Sequence, residues 1–130
     1  MPNKVSVMVG AGVPPSAAQA ISGYVDDNVT ATGSTQATAY QIQYTNTFVT
    51  TTGSSTGVVL PQGTGGNAAS PADDFLVANL GANTLSIYPP VGGKINGGST
   101  NAAISVTTLK TAWLTCRSGD GLQWVAVVSA

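Results

Sequence analysis

The sequence predicts an all-β domain, and three observations carry that prediction. Charged residues make up only 7% of the chain, against roughly 25% in ordinary soluble domains, and glutamate is absent. Glu, Lys and Arg are good helix formers, so their scarcity argues against helices. Thr, Val, Gly and Asn recur throughout, which suits pleated strands joined by tight turns. Third, short apolar alternations follow one another at regular spacing, about eight to ten of them, with turn residues between. The architecture these features favour is a jelly-roll-type antiparallel β-sandwich over residues 31–130, preceded by an extended N-terminal arm over residues 1–30. At 130 residues the chain is one domain, long enough for a single core.

The elements follow in order. Lys4–Val9 alternates, with Val5, Val7 and Val9 on one face, and reads as a strand. Ser16 to Gly23 has the marks of a short helix, with Ser16 as N-cap, Gln19 completing a capping box and Gly23 as the stop. Asp26 to Gln36 is polar and turn-rich. Ala37–Tyr44 alternates, placing Tyr40, Ile42 and Tyr44 on one face. Asn46–Thr52 and Thr56–Leu60 are the next strands, the latter ended by Pro61. Gln62 to Ala72, with Gly63, Gly65, Gly66 and Pro71, is a loop. Phe75–Leu80 and Thr84–Tyr88, joined by Gly81-Ala82-Asn83, read as a hairpin that Pro89-Pro90 terminates. A short extended piece surrounds Lys94–Asn96, and another is Ile104–Val106. Ala112–Arg117 and Gln123–Val128 flank the turn Ser118-Gly119-Asp120-Gly121. On the last strand Trp124, Ala126 and Val128 share one face while Val125 and Val127 share the other. Both faces are apolar, so the strand is expected to be buried on both sides, one of them against a neighbouring subunit.

Composition also bounds the chemistry. The net charge is −1, and four scattered basic residues make no phosphate-tracking patch, so no nucleic-acid partner is expected. No stretch reaches transmembrane length, and no membrane partner is expected. Lys4, Val5–Val13 and Ala18-Gln19-Ala20 loosely imitate a signal peptide, but Ser6, Gly10 and Gly12 interrupt the apolar run. Cys116 is the single cysteine, so no disulfide can form within the chain, in keeping with a reducing compartment.

The chain contains no histidine, which removes the commonest general base and most metal-ligand sets. The carboxylates are Asp26-Asp27, Asp73-Asp74 and Asp120, each at an expected turn or strand entrance, where capping explains them. Gly63, Gly65 and Gly66, and Gly92-Gly93 with Gly97-Gly98, lack the arrangement of a phosphate-binding loop. Arg117 and Asp120 are placed to pair across the final turn. No catalytic residue, cofactor or metal is expected, and a non-enzymatic role follows.

Longer-range order along the chain adds a resemblance. Phe75 to Pro90 reads as an apolar strand, Asn79, Gly81, Asn83, and a second apolar strand ending in Tyr88-Pro89-Pro90. Gly92-Gly93-Lys94-Ile95-Asn96-Gly97 follows. Thr35–Ala39, Val58–Pro61 and Gly121–Val125 complete the pattern. It resembles small virion proteins of tailed phages, namely trimeric jelly-roll capsid decoration or cement proteins and related fibre heads. The resemblance implies a homotrimer that binds the assembled major capsid protein lattice on the outer surface of the virion, after folding in the host cytoplasm. Trimer-interface candidates are Trp113, Trp124, Val125 and Val127. Capsid-docking candidates are Lys4, Val5, Val7 and Val9, which would add as a strand to a neighbour's sheet. The alternative is a receptor- or carbohydrate-binding head of a tail or head fibre.

Overall fold

The computed structural model describes residues 11, 12, 14, 25–62, 69, 71 and 73–130. Ten strands run through them: β1 (Val25–Thr30), β2 (Tyr40–Gln41), β3 (Asn46–Thr51), β4 (Gly57–Val59), β5 (Asp74–Asn79), β6 (Leu85–Tyr88), β7 (Lys94–Ile95), β8 (Ile104–Val106), β9 (Lys110–Cys116) and β10 (Gln123–Val128). No helix forms among the described residues. The expected helix at 16–23 and most of the expected loop at 62–72 lie outside them.

The strands make two sheets. Sheet A has the order β1-β3-β5-β9-β10-β7 and sheet B the order β2-β4-β6-β8. The all-β expectation therefore holds, but the connectivity is not that of an antiparallel jelly roll. From β1 to β6 the chain alternates between the sheets, so each strand lies parallel to the one laid down a turn earlier: β1 beside β3, β3 beside β5, β2 beside β4, β4 beside β6. This is a flattened winding, closed at its later end by antiparallel pairing of β5 with β9, β9 with β10 and β6 with β8. The arm boundary also shifts. Val25–Thr30 belongs to sheet A, because β1 pairs with β3 from Val25 to Thr30. Its polar composition, which reads as turn, is that of an edge strand burying one side chain, Val29.

Between the sheets lies one apolar core. Sheet A contributes Val29, Val49, Val77, Ala112, Leu114, Cys116 and Trp124, and sheet B contributes Val58, Leu85, Ile87 and Val106. Alternation within each strand sends these side chains inward and their neighbours outward.

The expected hairpin of residues 75–88 is instead a corner, since β5 and β6 belong to different sheets. Asn79 makes the corner. Its side chain is fully buried, and all four hydrogen-bonding positions are filled. Nδ2 donates to the carbonyls of Asn83 (2.8 Å) and Val106 (2.9 Å). Oδ1 accepts from Thr52 Oγ1 (2.8 Å) and the Gly81 amide (3.1 Å). Asn83 Nδ2 donates to the Thr52 carbonyl at 2.9 Å. Gly81 is required here, because a Cβ would stand 2.6 Å from the Thr52 nitrogen. With these bonds the buried Asn79 side chain fixes the path by which the chain leaves sheet A and enters sheet B.

One inward group has no such partner. Thr47 on β3 is 0% exposed, lies between Asp26 and Val77 in the ladder, and its Oγ1 has no hydrogen bond. A buried hydroxyl without a partner is unfavourable. Thr47→Val is therefore expected to raise stability by about 1 kcal/mol. Urea denaturation checks this, and a lowered midpoint would refute it.

Candidate functional site

The chemistry-bearing side chains are dispersed. Asp26 on β1 accepts from the Tyr40 hydroxyl on β2 at 2.6 Å, tying the margin of sheet A to that of sheet B. Asp27 caps the Asn28 amide (2.8 Å), and Asp74 accepts from Thr115 Oγ1 (2.6 Å). Asp120 accepts from Ser118 Oγ (2.5 Å) and the Leu122 amide (3.0 Å), closing the β9–β10 turn rather than pairing with Arg117. The Ser118 hydroxyl, and then the Leu122 amide, hold the Asp120 carboxyl below its usual range. Among the described residues no three His, Cys, Asp or Glu side chains gather as metal ligands, and no helix is long and apolar enough to cross a membrane.

The Asp26 hydrogen bond, followed by burial, pushes the Tyr40 hydroxyl up to about 12. Folding thus favours protonated Tyr40. The contribution is complete below the ordinary tyrosine range near 10 and is lost as pH rises from about 10 to about 12. Over that window the gap in melting temperature between the native chain and Tyr40→Phe is expected to shrink. A constant gap would remove Asp26–Tyr40 as its source.

A groove of about 350 Å³ is lined by Ser54, Ser55, Asn83, Thr84 and Ser86. Its walls are hydroxyl and amide groups with no ionisable side chain, so they offer hydrogen bonds but no proton-transfer group.

The most distinctive surface is the outer face of sheet A. Antiparallel register places Leu76 of β5, Trp113 of β9 and Val127 of β10 in one cross-strand row. Asp74, Thr115 and Val125 form the next row. Trp113 is 52% exposed, Val127 63% and Val125 43%. An indole with two branched aliphatic side chains in adjacent rows makes a contiguous apolar patch. The Val125–Val127 side of β10, expected to be buried, is thus open in the single chain.

Of the four interface candidates, Trp113, Val125 and Val127 share this face. Trp124 does not. It lies opposite Cys116 on the inner side of the β9–β10 pair and is 1% exposed. Its ring tilts at 55° against Phe75 with centroids 5.6 Å apart, and Nε1 donates to the Gly121 carbonyl at 2.9 Å. One residue of register separates the two tryptophans' fates, because successive side chains on a strand point to opposite faces. Lys4, Val5, Val7 and Val9 lie outside the described residues. Sequence reasoning missed Leu76 as the third member of the central row, since only strand pairing reveals it.

No family model matches this chain, and no curated protein and no solved structure matches it. Any function therefore has to be argued from the chemistry of its surfaces.

Proposed function

We propose that this chain is a structural subunit of a virus particle: a capsid decoration protein that assembles as a homotrimer, binds the assembled major capsid lattice on its outer surface and stabilises the head. The observation that carries this reading is the apolar face of Trp113, Val125 and Val127, exposed on the paired strands β5, β9 and β10. Aromatic and aliphatic side chains in a flat patch fit protein contact, with tryptophan the preferred anchor. Little charge opposes self-association, since the net charge is −1. A subunit that binds only the finished lattice stabilises it by mass action. No nucleic acid, membrane or cofactor enters this reading.

Sedimentation equilibrium tests the oligomer. The native chain is expected to be trimeric at micromolar concentration, and Trp113→Ser combined with Val127→Ser to be a folded monomer. A monomeric native chain, or a trimer indifferent to both changes, would remove the face from the proposal. Co-sedimentation with capsid shells lacking this protein tests the partner, and absence of the native chain from the pellet would count against it.

The hydroxyl- and amide-lined groove favours a second reading, the carbohydrate-binding head of a phage fibre. It ranks behind the first because no aromatic ring lines the groove for a sugar to stack on. Specific glycan-array hits lost on Asn83→Ala would reverse the order.

A further inference from the structure

We propose that the β10 edge of sheet A is a strand-acceptor site for a second copy of this chain, and that the Asn96 side chain holds it closed. β10 is bordered by β7, which has only two residues, Lys94 opposite Gln123 and Ile95 opposite Trp124. The ladder begins with the Lys94 amide on the Leu122 carbonyl (2.8 Å) and continues with the Asn96 amide on the Trp124 carbonyl (2.9 Å). There the backbone departs. Asn96 turns to φ 54°, and the Gly98 amide closes a turn on the Ile95 carbonyl.

The next peptide groups of β10 facing this edge are the N–H and C=O of Ala126, and the Asn96 carboxamide takes both. Oδ1 accepts from the Ala126 amide at 2.8 Å, and Nδ2 donates to the Ala126 carbonyl at 3.1 Å. A carboxamide presents the same donor and acceptor as a peptide group, so one side chain stands in for further strand. Beyond it the Val128 peptide faces the same way with no β7 residue opposite.

The closure matters because of what lies behind it. Gln123-Trp124-Val125-Ala126-Val127-Val128 has no charge, no proline and no glycine, and is rich in β-branched and aromatic residues. That is the composition of a segment prone to strand pairing. The remaining edges are blunted in other ways. β1 carries Asp26 and Asp27 and an irregular register between Asp26 and Val29, with Asn28 at φ 55°. β2 has two residues and β8 three. Short, charged or irregular edges resist strand addition. The occupant that fits an opened β10 is another β10, antiparallel about a two-fold axis, with Ala126 of each copy opposite Val128 of the other.

Asn96→Gly tests this, because glycine keeps the positive φ and removes only the carboxamide. Amide exchange at Ala126 is expected to accelerate roughly tenfold or more, while Val127, which faces β9, stays within about twofold. Sedimentation velocity is expected to reveal a larger, concentration-dependent species that persists when Trp113→Ser is added, which separates edge association from the face proposed above. Unchanged Ala126 exchange, faster exchange without association, or loss of the larger species on adding Trp113→Ser would each overturn the proposal. Asn96→Asp is the second variant. It keeps an acceptor for the Ala126 amide, gives up the donor to the Ala126 carbonyl and places a charge at the edge, so Ala126 is expected to exchange more slowly than in Asn96→Gly and the chain not to form the edge-joined species. Edge association in that variant would also overturn the proposal.

Discussion

Trp124→Ala is expected to lower stability by about 3–5 kcal/mol, the largest loss from any single truncation in this core. The indole fills the space between β9, β10 and Phe75 and is the largest fully buried side chain among the described residues. Removing it leaves a cavity that two paired strands cannot collapse into, and orphans the Gly121 carbonyl that Nε1 now satisfies. Val127→Ala, on the same strand but on its open face, is expected to change the stability of the single chain by less than about 0.5 kcal/mol. Urea denaturation of both variants at monomeric concentration makes the comparison. Equal losses would refute the difference in burial between the two faces of β10, and a larger loss from Val127→Ala would mean that they are assigned the wrong way round.

Asn79→Ala is the second large effect, expected to cost more than about 3 kcal/mol. Four groups lose their partner together: the Thr52 hydroxyl, the Gly81 amide and the carbonyls of Asn83 and Val106. The bonds to Thr52, Gly81 and Val106 are buried, so those three groups are left without a partner inside the corner. Asn79→Asp separates hydrogen bonding from volume. It keeps both acceptor contacts but turns a carboxylate toward two carbonyl oxygens, so it is expected to be at least as damaging at neutral pH. Partial recovery is expected on acidification, when the protonated acid can donate to one carbonyl. Melting temperature against pH reads this out, and a pH-independent loss would show that packing, not donation, is what Asn79 supplies.

Much of the strand inventory was legible in the sequence. Asn46–Thr51, Gly57–Val59, Leu85–Tyr88 and Gln123–Val128 are strands where alternation and turn residues place them. The winding was not legible. Gly81-Ala82-Asn83 carries the same turn chemistry whether the chain folds back beside β5 or crosses to the other sheet. What decides is the burial of Asn79, a long-range property with no local mark. β1 was missed for a related reason, because an edge strand that buries only Val29 shows no apolar alternation. The outer face was legible in part: alternation on β10 separates Val125 and Val127 from Trp124, yet says nothing about which side meets the core. Asn96 had a visible signal, since Asn-Gly marks a turn. That its carboxamide completes a ladder depends on Ala126, thirty residues later in the chain.

The strand order of sheet A has a consequence for how the molecule is made. β9 and β10 occupy interior positions, whereas β1, synthesised long before them, is at a margin. A nascent chain that has finished β5 therefore presents that strand's far flank bare until β9 emerges. The parallel ladders join segments distant in sequence, so they close slowly, and the β9–β10 hairpin is the one antiparallel pair in sheet A that can form locally. Assembly of the sheet then ends with a ready-made hairpin docking between β5 and β7. Refolding is expected to be paced by that insertion, with the exposed flank of β5 the place where a stalled chain is most open to the wrong neighbour.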